Sequence, residues 1–166
     1  MSKEIELKIY SIASSLTESI IFLDEADGIR ILPIWIGPAE AQAIAIKMSG
    51  YPSPRPMTHD LIFSMLSALK CSVKKILLSE IIDNTYYAKI FISGPQGDFE
   101  IDSRPSDAIA LAVRFGCPIM VREEIFLKTQ SLNKPISEDE VHSFKKELEN
   151  LKPTDFFKRK KEGEDE

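Results

Sequence analysis

A chain of 166 residues suits one core of ordinary size and is too short for two full domains. Hydrophobic residues make up 43% and charged residues 28%, which separates the chain from disordered sequences. The net charge of -5, from 21 Lys plus Arg against 26 Asp plus Glu, argues against non-specific coating of nucleic acid.

No apolar run approaches the roughly 18 to 20 residues that cross a bilayer, and the N-terminal MSKEIELKIY alternates charged with apolar positions. A cytoplasmic protein without a membrane partner is expected. Cys71 and Cys117 each follow an apolar helical run, so they are expected to act as small hydrophobes. An acidic balance is also compatible with phosphodiester chemistry, because carboxylates can hold a divalent cation such as Mg²⁺ or Mn²⁺.

Ile5, Leu7 and Ile9 alternate with polar neighbours and predict a first strand over residues 3–10. Two apolar runs, 19–23 and 29–36, flank a segment ending in Asp27-Gly28 and predict a hairpin. Gly37-Pro38 stops the second run, and a mostly apolar helix is predicted over 39–49, closed by Gly50. The prolines at 52, 54 and 56 impose an extended connector. Thr58 is placed as the cap of the next helix, with Leu61, Ile62, Met65, Leu66 and Leu69 on its apolar face.

Three strands follow, over 73–82, 85–93 and 98–102, and their short joins favour an antiparallel meander. Pro105 opens an apolar helix to Phe115, closed by Gly116, and Ile119 to Val121 reads as a short buried strand. Ser137-Glu138-Asp139-Glu140 fits a capping box for a surface helix over about 137–151. The fold class is α+β: a mixed, largely antiparallel sheet packed by mostly apolar helices. One domain is expected over 1–157, with a charged, disordered tail over 158–166.

Polar chemistry concentrates at helix starts. His59 and Asp60 could bind a cation or handle protons, or else cap the helix and bond a loop. Arg104, Ser106 and Asp107 bracket a helix start where free N–H groups, a hydroxyl and a guanidinium could receive a phosphate. In the structural reading, Asp107 caps the helix while Arg104 pairs with a carboxylate such as Asp102. Asp98, Glu100 and Asp102 fall on one strand face. Glu40 lies inside an apolar helix and needs a partner if buried, and Arg55 is held between prolines as an ion-pair partner or anion clamp. Trp35, Tyr51, Tyr86 and Tyr87 read as core or interface residues before base-stacking ones.

The run Leu32-Pro33-Ile34-Trp35-Ile36-Gly37 is followed by Glu40-Ala41, Arg55-Pro56-Met57-Thr58-His59-Asp60 and Asp102-Ser103-Arg104-Pro105-Ser106-Asp107. This order resembles the bifunctional nuclease domain family over roughly Ile5 to Phe126. The resemblance implies a compact α+β domain that self-associates, as a dimer, in a family named for degrading both RNA and DNA. It places the polar motif positions in one functional set. His59, Asp60, Arg104 and Asp107 are expected to be catalytic, Arg55, Arg104 and Ser106 to bind nucleic acid, and Glu40, Asp60, Asp102 and Asp107 to hold a cation. The rival expectation is a non-catalytic binding or assembly module, in which the same residues are caps and ion pairs.

Overall fold

The computed structural model describes residues 2–129, 132–135, 138–150 and 152. The tail at 158–166, Ser137 of the expected capping box and Leu151 lie outside the described residues.

Alternation from the N-terminus builds β1 (Glu4–Ser14), longer than its apolar core because it continues past a bulge between Ile9 and Ser11. It pairs antiparallel with β2 (Ser19–Glu25), which forms the expected hairpin with β3 (Arg30–Ile36). Glu25 locks that hairpin by accepting the Arg30 backbone N–H at 3.0 Å and its guanidinium at 2.6 Å. Arg30 in turn lies 4.1 Å over the Phe126 ring.

Helix α1 (Pro38–Ser49) starts at its proline and ends where Gly50 adopts φ 70, a left-handed value that glycine reaches without strain. The proline-rich connector leads to α2 (Thr58–Ala68). Here Met57 is the cap and Thr58 the first helical residue, because the Asp60 carboxylate reaches back to the Met57 N–H at 3.0 Å. The apolar face of α2 is also narrower than its sequence suggests. Ile62 and Leu66 pack on the core, and Phe63 meets Phe115 at 4.6 Å, whereas Leu61, Met65 and Leu69 are exposed.

The meander forms as expected from β4 (Ser72–Ile82), β5 (Thr85–Gly94) and β6 (Gly97–Ser103). Asp83 and Asn84 both take positive φ, as a two-residue reversal between twisted strands requires. On the edge strand β6 the acids share one face as expected, and Glu100 pairs with Lys89 at 3.4 Å, but Phe99 and Ile101 on the other face are exposed too.

Helix α3 (Pro105–Phe115) runs as predicted, and its buried Ala108, Ala110 and Ala112 let α1 and the sheet approach closely. The short strand β7 (Ile119–Arg122) does more than fill space. It pairs parallel with β4 and antiparallel with β1, so the sheet order becomes β6-β5-β4-β7-β1-β2-β3-β8. Helix α4 (Glu124–Lys128) and strand β8 (Leu132–Asn133) complete this seam and edge, and neither has a sequence signal of its own. Helix α5 (Glu138–Glu149) brings Phe144 onto Ile20, Phe22 and Ile31, covering the second face of the β2–β3 hairpin.

The main core lies between the sheet and helices α1, α2 and α3, where Leu7, Leu23, Ile34, Ile76 and Leu78 meet Ile44 and Ile109. Burying each such side chain stabilises the fold by roughly 1.5–3 kcal/mol. Both cysteines are free and half-buried, and burial pushes the Cys117 thiol up, consistent with a packing role. No helix among the described residues is long and apolar enough to cross a membrane.

Candidate functional site

The two Arg-Pro segments, 49 residues apart at Arg55 and Arg104, are joined through an imidazole–carboxylate contact between neighbouring helix starts. His59 Nε2, from the first turn of α2, lies 2.9 Å from Asp107 Oδ1 in the first turn of α3. The other carboxylate oxygen, Oδ2, accepts the Arg104 Nε–H at 2.8 Å. Arg104 Nη2 then donates to Glu40 Oε1 at 2.9 Å, reaching the first turn of α1. Three helix N-termini therefore share one chain of charges, His59 to Asp107 to Arg104 to Glu40. Each carboxylate also complements the positive end of its own helix.

Exposure peaks at Arg104 within that chain. His59 is buried and Glu40 and Asp107 are partly enclosed, while the Arg104 side chain is 65% exposed. Its Nη1 has no role in the two ion pairs, so the guanidinium can present further N–H groups to an incoming anion. Arg104 thus pairs with Asp107 and Glu40 and not with Asp102, which sits exposed on β6 opposite Lys89. Glu40 finds the partner its place in an apolar helix called for, and His59 bonds a second helix start instead of a loop.

Asp60 belongs to a separate ion pair. Its Oδ1 accepts the Arg114 Nε–H at 2.7 Å while its Oδ2 takes the Met57 N–H. Arg114 was not anticipated. It stands two helical turns beyond Asp107 in an otherwise apolar stretch, and a lone charge in such a helix was the signal available. Only 3% of its side chain is exposed, and its remaining donors reach the carbonyls of Ala110 at 2.9 Å and Ala43 at 3.2 Å. Arg55 is exposed and lines a cleft with Asp60 and Arg114.

The carboxylates differ from ordinary ones. Burial pushes Asp107 up, but hydrogen bonds from Arg104 and His59, with their charges, overcome this and hold it below the usual carboxylate range. Asp60 is lowered chiefly by the Met57 N–H, against burial and with help from Arg114. Glu25 is lowered chiefly by its hydrogen bond from Arg30. A carboxyl whose folded pKa is depressed stabilises the fold above its unfolded value and loses that contribution as pH falls through the folded value. Acid unfolding should therefore begin below about pH 4. The dependence of stability on pH should be shallower in Asp60→Asn, as followed by denaturant titrations across that range.

The four acids considered for a cation do not form a ligand set. Among the described residues no three or more His, Cys, Asp or Glu side chains stand close enough to hold a metal ion. Both oxygens of Asp107 and both of Asp60 already accept hydrogen bonds from the protein.

Beside Arg104 the surface opens into a cleft of about 530 Å³, walled by Ile34, Trp35 and Tyr86 and reaching Ser106 at the start of α3. Ser106 and Arg104 therefore face this opening together, and Arg55 and Asp60 share the other one.

Comparison with known proteins places these features in a family. The bifunctional nuclease domain matches residues 21–134, starting later and ending further than the span its motifs suggested. An uncharacterized protein of Mycobacterium tuberculosis (strain H37Rv) is 36% identical over 148 residues, 84% of this chain and 88% of its own. Bifunctional nuclease 1 of Oryza sativa subsp. japonica is 24% identical over 122 residues, covering 71% of this chain and 37% of the plant protein. Bifunctional nuclease 2 of Arabidopsis thaliana is 28% identical over 109 residues, 63% of this chain and 33% of its own. With the motif residues gathered at three helix starts and the match covering most of the sheet, the chain belongs to the bifunctional nuclease domain family.

Proposed function

We propose that this protein hydrolyses phosphodiester bonds of RNA or DNA at the His59–Asp107–Arg104 chain. The observation that carries the reading is the geometry of Arg104, fixed by two carboxylates yet exposed beside a cleft. The plant relatives named as bifunctional nucleases support the substrate class.

In this scheme the scissile phosphate docks on the open N–H groups of Arg104 and on the first turn of α3, where Ser106 adds a hydroxyl. A water attacks phosphorus in line. Its proton passes to the Asp107–His59 pair and is returned to the departing sugar oxygen as the P–O bond breaks, so protons balance over the cycle. Arg104 neutralises the charge that grows on the non-bridging oxygens, which is most effective because its position is fixed beforehand. Asp60 supports the site through Arg114, which ties α2 to α1 and α3. Arg55 offers a second cationic contact for the strand beyond the cut.

The donor set does not fit a divalent cation, and no step runs through one. Purified protein should therefore cleave labelled single-stranded RNA or DNA at an unchanged rate in EDTA. Absence of any cleavage in either buffer would remove the reading.

The rival is an assembly module in which the same ion pairs only lock helix starts. The bonding of Glu40, Asp60 and Asp107 to arginines of the same fold favours it. Self-association as a dimer belongs to both readings, with light scattering expected to give about twice the 18.7 kDa chain mass.

A further inference from the structure

Ser106 is a polar side chain that nothing in the fold uses. The residue is only 5% exposed, and no hydrogen bond from the described residues ends on its hydroxyl. It borders the 530 Å³ cleft beside Arg104. Its hydroxyl therefore opens only towards the cleft, where an anion could accept its O–H in place of water. Around it, the first intrahelical bond of α3 is donated by the Ala108 N–H to the Arg104 carbonyl, which leaves the preceding N–H groups of Ser106 and Asp107 at the positive end of the helix. This end of the cleft is suited to one anionic group.

The opposite wall has different chemistry. Ile34, Trp35 and Tyr86 supply apolar and aromatic surface, and Asn84 and Thr85 supply polar groups at the lip. The volume lies within the roughly 300–1,000 Å³ that accommodates small organic ligands. Glu18 also lines the cleft, and its charge disfavours a second phosphate there.

We infer that the cleft receives one unpaired nucleotide, its phosphate at Ser106, Arg104 and the α3 start and its base against the Trp35–Tyr86 wall. This rests on the nuclease reading for the position of the cut and deepens it by naming the substrate as single-stranded. A base in a duplex is stacked and paired, so it can enter such a recess only after extrusion, whereas a single strand offers its bases freely.

Trp35 is the sole tryptophan of the sequence, so its fluorescence reports the cleft directly. Adenosine 5′-monophosphate titrated into the full chain should quench it saturably, with adenosine and inorganic phosphate each binding far more weakly. A single-stranded hexanucleotide should compete, and the same sequence in a duplex should not. Ser106→Ala should weaken nucleotide binding about tenfold. Thr85→Phe, which places a ring at the exposed lip, should abolish binding while leaving the melting temperature unchanged. No saturable quenching, equal competition by the duplex, or unaltered affinity in both variants would overturn the inference. Saturable binding by a protein that cleaves nothing would sink the nuclease reading and keep the cleft. Cleavage without quenching would do the reverse.

Discussion

Asp60→Ala should lower the stability of this protein by about 3 kcal/mol, the low end for breaking a buried ion pair because Asp60 itself is one-third exposed. The reason lies with its partner. The Arg114 guanidinium is almost wholly enclosed and would retain only the carbonyls of Ala43 and Ala110. The variant also leaves the Met57 N–H without its side-chain acceptor, loosening the start of α2. For a chain of this size the melting temperature should drop by roughly 6–12 °C. Adding Arg114→Met should recover part of the loss, since an apolar side chain of similar length does not need a counter-ion. A melting temperature unaltered in Asp60→Ala would show that the pair contributes little, and Asp60 would return to the list of groups that act on substrate.

His59→Gln and Asp107→Asn should each reduce nucleic-acid cleavage at least a hundredfold, within the range ascribed to a positioned acid or base. Neither replacement leaves a large cavity, so folding should survive. The double variant should fall little below either single one, because the two side chains form a single proton-handling unit. Initial rates on labelled RNA, measured with proteins purified in parallel, decide this. A cleavage trace of equal size in wild type and both variants would identify a contaminant and favour the assembly reading.

Local punctuation made much of the fold legible. Pro38 and Pro105 opened helices, Gly50 and Gly116 closed them, and Asp83-Asn84 reversed the chain, because each of these depends on backbone geometry that neighbouring residues fix. The stripe Leu61, Met65 and Leu69 shows the limit of periodicity. Spacing states which residues share a helix face, but whether another element covers that face depends on long-range packing. The site follows the same division. Motif residues at helix starts were visible as candidates, whereas the partner each would choose was not, since Arg104 had Asp102, Asp107 and Glu40 all within chemical reason. Arg114 was missed because a charge late in a helix is ordinarily a solvated end, and only the crossing of α1, α2 and α3 encloses it.

Strand β7 has a consequence for biogenesis. Until Ile119–Arg122 leave the ribosome, the nascent chain holds two three-stranded blocks whose facing borders, β1 and β4, have no mate. Synthesis from the N-terminus thus leaves these strand borders open until β7 emerges, and such borders are the surfaces on which unwanted pairing between chains begins. Four residues inserted late convert two sticky halves into one continuous layer, so a ribosome stalled before residue 119 would release a fragment prone to aggregate.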